Sequence, residues 1–255
     1  MGSIDMIATI DIIILSFAKN EELRSLTEQT IQTVLDSEDP SIINFNVLVI
    51  ESNKDAKPYE FTNTRTIYPR TKFGFNKYLN IGINETHNNY ICLCNNDLIF
   101  HKGWAKQLID VIDKYPKDAV VLSPFCDYSH SNFLDLTEPT EGYFGYFAGY
   151  CFFTARQTIQ KLGPLDENIN FWYADRDFIN LMHQTNTAHY LVPTAKVSHL
   201  VSRVTAEFSK LDTLRYTYYP RIYFRYKWED KNVFLYAKRL FIYRVKYALC
   251  LLRGS

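Results

Sequence analysis

The chain has 255 residues, 47% of them hydrophobic, enough for one large domain or a domain with an appendage around a sizeable core. Lysine plus arginine and aspartate plus glutamate each number 28, and that zero balance argues against a general nucleic-acid binder, which carries a basic excess. The five cysteines, Cys92, Cys94, Cys126, Cys151 and Cys250, form no CxxC pair and are odd in number, so a reduced compartment, most simply the cytoplasm, is expected.

In chain order, the first apolar stretch, Ile7–Phe17, contains Asp11, lacks a basic leader and is too short to span a bilayer. Within it Ile10–Ser16 is a continuous β-branched run, the mark of a strand buried on both faces. Asn20 is placed to cap a helix running to about Ser37, with Leu23, Leu26, Ile31, Val34 and Leu35 inward. Val47–Glu51 reads as a second buried strand, Phe75–Glu85 as a short helix, and Tyr90–Cys94 as a third strand. A helix over Gly103–Tyr115 and a strand over Ala119–Ser123 follow. Strands alternating with helices predict a parallel sheet covered by helices, with ligands beyond the carboxyl ends of the strands. Ser16, Glu51 and Asn95–Asp97 all fall at such ends.

The texture changes after Phe125. Residues 126–142 are polar, and the aromatic, glycine-rich Gly142–Thr154 is expected as a strand pair near a site. Ala155–Leu162 predicts a helix ended by Gly163-Pro164, Asp175–His183 another helix, and Val197–His199 a late strand end. From Thr213 to Leu252 the chain is rich in Tyr, Phe and Arg and is expected to be helical.

Three polar groups carry candidate chemistry. The apolar run "YICLCNNDLIF" stops at Asn95-Asn96-Asp97 with neither Gly nor Pro to make a turn. Such a cluster either holds a hard cation through oxygen ligands or is an Asx turn. "NFWYADRDF" sets Asp175 and Asp177 beside Trp172 and Tyr173; taken singly, Asp175 suits a helix N-terminus. The third group is His199 in "KVSHL", which taken singly reads as a satisfied, partly buried histidine.

The order of these groups resembles the family 2 glycosyltransferases, GT-A-fold enzymes that include the bacterial O-antigen and capsule rhamnosyl- and galactofuranosyl-type transferases. In "KFGFNKYLNIGINETHNNYICLCNND", Gly74, Phe75, Asn80, Gly82 and Ile83 match the family pattern in register, with Lys72 where Asn is usual. In "GYCFFTARQTIQKLGPLDENINFWYADRDFINLM" the matches are Gly149, Arg156, Gly163, Leu165, Asp166, Glu167, Asp175 and Asp177. The likeness covers about residues 8 to 205.

The resemblance implies an α/β GT-A domain over 1–210, Rossmann-like with a mixed central sheet. Its donor half spans about 8–125 and its acceptor half about 126–210, and a helical tail follows over 211–255. It implies inverting transfer from a UDP- or dTDP-sugar, with Asp175 as general base. It also implies a divalent metal, Mn2+ or Mg2+, held by Asp97 and His199 on the leaving diphosphate. Ser16, Phe17, Glu51, Lys72, Asn95, Asn96 and Asp97 would meet the donor. Trp172, Tyr173, Tyr150 and Arg176 would meet a glycan or lipid-linked acceptor, with core packing the competing use of the aromatics. Asn95 stands where the family's first metal-motif acid is usual, and Ala174 where it carries a further acid. Those departures support a rival reading, a silent nucleotide-sugar-binding partner in an assembly complex.

The tail from Tyr218 to Arg253 alternates aromatics with Arg221, Arg225, Lys227, Lys238, Arg239, Arg244, Lys246 and Arg253. Basic and aromatic residues on a helix suit peripheral contact with the cytoplasmic face of an anionic inner membrane. Packing on the domain, or at a homodimer interface, is the alternative.

Overall fold

The computed structural model describes residues 7–114, 119–200 and 209–252. Tyr115 and Arg253, named above at a helix end and in the tail, lie outside the described residues. The order begins β1 (Ala8–Ser16), α1 (Glu21–Asp36), β2 (Ile43–Glu51), β3 (Thr64–Ile67), α2 (Phe75–Asn84), β4 (Tyr90–Asn95), β5 (Leu98–Phe100), α3 (Trp104–Lys114) and β6 (Val120–Phe125). It continues with β7 (Thr140–Glu141), β8 (Cys151–Ala155), α4 (Arg156–Leu162), α5 (Ala174–Gln184) and β9 (Ala188–His199). The tail holds α6 (Lys210–Thr213), α7 (Tyr219–Phe224) and α8 (Val233–Leu252), separated by wide π-type turns at Leu214–Tyr218 and Arg225–Asp230.

Among the described residues the strands form one sheet in the order β3-β2-β1-β4-β8-β6-β9-β5, with β7 beside β9. The left half is parallel, as the alternation of elements predicts. The sheet is mixed because β8 runs antiparallel between β4 and β6, and β5 antiparallel to β9.

Successive residues of the central strands feed opposite layers. Ile10, Ile12, Ile14, Val47, Val49 and Cys92 pack with Ile31, Val34, Trp104 and Leu108 of α1 and α3. Ile13, Leu15, Leu48, Ile50, Ile91 and Leu93 pack on the other face with Leu79, Ile159, Phe178 and Ile179 of α2, α4 and α5. A run buried on both faces has no polar alternation, which is why these strands read as continuous apolar stretches. Gly82 lets α2 sit close, since a Cβ there would come within 2.5 Å of Ile13 Cγ2.

Two expectations change. Asn20 does cap α1, accepting from the Leu23 N–H at 2.9 Å, but the inward face is carried by Thr27, Thr30, Ile31 and Val34, with Leu23, Leu26 and Leu35 only half-buried. Gly142–Thr154 is not a strand pair. Only Cys151–Ala155 is strand, because Gly145 at φ +83 turns the preceding aromatic run.

Candidate active site

The β5–β9 pairing builds the first half of the site. Leu98 sits opposite His199, and the Leu200 N–H donates to the Asp97 carbonyl at 2.8 Å. That register sets Asp97 and His199 side by side, with Asp97 Oδ1 3.3 Å from His199 Nε2. Asp97 is 2% exposed, so the apolar run breaks at 95–97 to hold a carboxylate under the edge of the sheet. The Tyr150 ring stacks on His199 at 4.3 Å, and burial pushes its hydroxyl far up, so it stays protonated. The Asn95 N–H donates to the Tyr150 carbonyl at 2.8 Å.

α1 fastens this segment from behind. Threonines three residues apart lie along one helix face. Thr27 Oγ1 accepts from Asn96 Nδ2 at 2.8 Å. Thr30 Oγ1 donates to the Leu98 carbonyl at 2.9 Å and accepts the Leu98 N–H at 3.0 Å. Thr33 Oγ1 accepts the Phe100 N–H at 3.2 Å. The Thr30 and Thr33 hydroxyls therefore cover one edge of β5 while β9 covers the other, and Thr27 holds the Asn96 side chain just before it.

The same network reaches the ends of β1 and β2. Ser16 Oγ lies 3.0 Å from both Thr27 Oγ1 and Tyr59 OH, and Tyr59 OH donates to Glu51 Oε2 at 3.1 Å. Glu51 Oε1 accepts the N–H groups of Ala18 at 3.1 Å and Asn53 at 2.7 Å. Glu51 is 0% exposed, and its carboxylate ties together the loops after β1 and β2. Ser16 is buried in the same way, whereas Phe17 is exposed.

The second half of the site is the start of α5. Gly149 permits it: a Cβ there would lie 3.0 Å from Asp175 Cβ. Asp175 thus sits against the residue before Tyr150, and Tyr150 touches both Asn95 and His199. The Gly149–Tyr150 step gathers Asp175, Asn95, His199 and, through His199, Asp97. The Asp175 carboxylate is solvent-facing, and Oδ1 accepts the Arg176 N–H at 2.8 Å. Trp172 is 50% exposed. Tyr173 has a left-handed backbone (φ +72) and lays its ring 5.0 Å from Phe224, so its face is spent on packing. Arg176 is exposed, its guanidinium 5.8 Å from the Tyr173 ring centre.

Asp177 points elsewhere, as two helical steps require. It is buried and accepts from Lys227 Nζ at 2.8 Å and Trp228 Nε1 at 2.6 Å. Burial raises its pKa, against the pull of those two donors. Lys227 also pairs with Asp166 at 2.9 Å, and Tyr223 OH donates to Asp166 at 3.0 Å. The tail up to residue 230 is therefore latched onto α5. Ala174 packs in the cluster with Ile169 and Phe224, and a carboxylate at 174 would be buried under that tail.

Lys72 is brought together with Arg215 and Arg244 of the tail around one cavity. Sequence reasoning missed Thr27, Tyr59 and the brace at Asp11. The Thr27, Thr30 and Thr33 spacing was the available signal for α1; Tyr59 lies in an aperiodic loop and gave none. Asp11 is fully buried, pairs with Arg156 at 2.6 Å and accepts from Asn46 and Asn88. Arg156 thus ties α4 to β1 and serves the scaffold.

The donor set at 97 and 199, one carboxylate oxygen and one imidazole nitrogen, fits a divalent ion that accepts mixed ligands. No cluster of three or more His, Cys, Asp or Glu among the described residues would hold a metal unaided.

The model of the family described as Glycosyl transferase family 2 matches residues 12–181. No curated protein matches the chain in sequence. Among solved structures, GalNAc-T7 with UDP, GalNAc and Mn2+ is similar at TM-score 0.59 and 13% identity, covering 76% of this chain and 44% of that one. S. aureus TarS 1–349 is similar at TM-score 0.58 and 12% identity, covering 89% and 74%. The catalytic domain of Drosophila β1,4-galactosyltransferase 7 with xylobiose is similar at 0.52 and 11%, covering 80% and 75%. At these identities the likeness is one of fold, and the chain spans less than half of the GalNAc-T7 chain.

Proposed function

The chain belongs to glycosyl transferase family 2 and has the GT-A fold, and on that premise we propose an inverting transferase that moves a sugar from a UDP- or dTDP-sugar to a hydroxyl of a surface-glycan acceptor. The observation that carries this reading is the gathering of Asp175, Asn95, His199 and Asp97 about the Gly149–Tyr150 step. A carboxylate facing solvent and a carboxylate–imidazole pair under the sheet edge are separate chemistries held on one short piece of backbone.

In this reading the acceptor oxygen attacks the anomeric carbon while Asp175 takes its proton, and the bond from that carbon to the diphosphate breaks. One carboxylate with no second nucleophile gives a single displacement and inversion. A divalent ion, Mn2+ or Mg2+, would be held by Asp97 and His199 and would neutralise the leaving diphosphate. Asn95 and Asn96 contribute neutral groups beside it. Phe17 and the loop held by Glu51 and Tyr59 form the nucleotide side. Trp172 and Arg176 offer exposed surface to the acceptor, with rhamnosyl or galactofuranosyl transfer onto an O-antigen-type glycan the leading chemistry.

The tail divides in two. Residues up to 230 pack back on the domain. α8 exposes Phe234, Phe241, Val245, Leu249 and Leu252 along one face, Phe234 at 87%, with Lys238 and Lys246 beside them. No helix among the described residues is long and apolar enough to cross a membrane, and this face suits peripheral contact with an anionic cytoplasmic membrane surface.

The test is donor turnover. Wild-type protein with UDP- or dTDP-sugars and Mn2+, without acceptor, should release nucleoside diphosphate slowly, and Asp175→Asn should slow acceptor-dependent transfer. Absence of turnover with every donor that binds would favour the silent-partner alternative.

A further inference from the structure

α8 has a second face. Tyr236, Leu240, Tyr243 and Tyr247 recur at spacings of four, three and four, one side of a helix, and they are half-buried, with Tyr236 and Tyr243 against Tyr219, Tyr223 and Tyr226 of the earlier tail. This side forms one wall of an open cavity of about 460 Å³, a size within the range of small-molecule sites. Three cations line it: Lys72 from the loop before α2, Arg215 from the first wide turn and Arg244 from α8. Among the described residues no carboxylate lines it, and none of the three cations makes an ion pair. Three other cations of the tail do pair with acids: Lys227 with Asp166 and Asp177, Arg225 with Glu229, and Arg239 with Asp230.

Three like charges without counter-charges around one concavity concentrate an anion there. Arginine presents a planar fork that matches phosphate oxygens. The tyrosines supply neutral donors and flat faces: burial pushes the hydroxyls of Tyr219 and Tyr243 up, so both stay protonated at physiological pH. The cavity also adjoins the acceptor side of the candidate site. Asn170 lines it, donates from Nδ2 to the Arg215 carbonyl at 3.1 Å, and keeps a buried Oδ1 with no hydrogen-bond partner. Two residues on, the Trp172 N–H donates to the Tyr216 carbonyl at 3.1 Å, and Asp175 follows.

We propose that the cavity between α8 and the domain binds the phosphate or diphosphate of the acceptor, held by Lys72, Arg215 and Arg244 with the tyrosine faces against the attached sugar. The proposal rests on the transfer reading above and adds to it a phosphorylated acceptor. The same chemistry occurs on a soluble sugar phosphate and on the headgroup of a lipid-linked sugar diphosphate.

Calorimetric titrations of the full chain in EDTA, which removes metal-dependent donor binding, separate these sources. One arm uses glucose 1-phosphate; the other uses phosphatidylcholine vesicles with and without a polyprenyl diphosphate. Binding of the first probe alone marks a soluble sugar phosphate, and binding of doped vesicles alone marks a lipid headgroup. In either case Arg244→Ala and Arg215→Ala should each weaken binding about tenfold, and Arg244→Glu more, as loss of a charged hydrogen bond implies. Arg244 is exposed, so its variants keep the fold. Mn2+-dependent UDP binding by the Arg244 variants, measured in parallel, should be unchanged, which tells a failed donor reading from a failed pocket. Equal binding by wild type and Arg244→Glu, or no binding of either probe by wild type at millimolar concentration, overturns the proposal.

Discussion

Asp175 and Asp177 are two residues apart, and the structure assigns them opposite consequences. Asp177→Ala removes the acceptor of two hydrogen bonds, from Lys227 and Trp228. A bond to a charged group contributes about 1.5–3 kcal/mol. The Trp228 bond takes that range; the Lys227 bond counts for about 0.2–1 kcal/mol, because its ammonium is partly exposed and keeps Asp166. Burial of the Asp177 carboxylate, which raises its pKa, offsets part of the gain. The net loss is about 2–3 kcal/mol, or roughly 5–10 °C in melting temperature for a domain of this size. Asp175→Asn, on a solvent-facing side chain, should melt within about 2 °C of wild type yet transfer sugar roughly a hundredfold more slowly. Thermal denaturation at pH 7, paired with transfer rates at a temperature where all three proteins are folded, reads both effects. An Asp177→Ala protein that melts like wild type and is inactive, beside a fully active Asp175→Asn, refutes the assignment.

Gly149→Ala brings a Cβ to 3.0 Å from Asp175 Cβ and should lower kcat severalfold with donor affinity unchanged; a wild-type kcat would show that the close approach is not needed. His189 is buried, hydrogen-bonded to the Gly142 carbonyl and Ser123, and its pKa is held down at about 4 by burial. The unfolded chain binds a proton there that the fold refuses, so stability present above about pH 6.5 is lost on descending toward pH 4, by about 3 kcal/mol. Urea midpoints at pH 7 and 4.5 should show this loss, and His189→Gln should shrink it; an unchanged slope in the variant would assign the acid sensitivity elsewhere. Removal of residues 233–255 should abolish flotation with anionic vesicles and leave a folded domain, since the Lys227 and Trp228 latch precedes the cut. Unfolding or loss of a dimer on truncation would instead make α8 a packing element.

The parallel half of the sheet was legible because Ile10–Ser16, Val47–Glu51 and Tyr90–Cys94 are buried on both faces and carry no competing pattern. Asn20 and Gly163 marked a helix start and a helix end through local chemistry, and local chemistry survives folding. β3 and β5 are short, four and three residues. They exist because a neighbouring strand or a threonine ladder satisfies them, information stored elsewhere in the chain. The same holds for Glu51: its position at a strand end was readable, but its three donors are the N–H groups of Ala18 and Asn53, in two different loops, and the Tyr59 hydroxyl. Asp97 and His199 were singled out one by one, and what joined them was the register of two antiparallel strands about 100 residues apart. That Lys72 shares a cavity with Arg215 and Arg244 was not legible, because those two lie in a tail whose helices carry no pointer to the loop they cover.

The central claim is that Asp97 and His199 hold a metal on the donor's diphosphate. It is tested most directly by calorimetric titration of UDP and dTDP into wild type and Asp97→Ala, each with Mn2+ and with EDTA. Wild type should bind one of the two nucleotides at least tenfold more tightly with Mn2+, and Asp97→Ala should bind equally weakly in both buffers while melting as a folded protein. Mn2+-dependent binding that persists in folded Asp97→Ala would contradict the account.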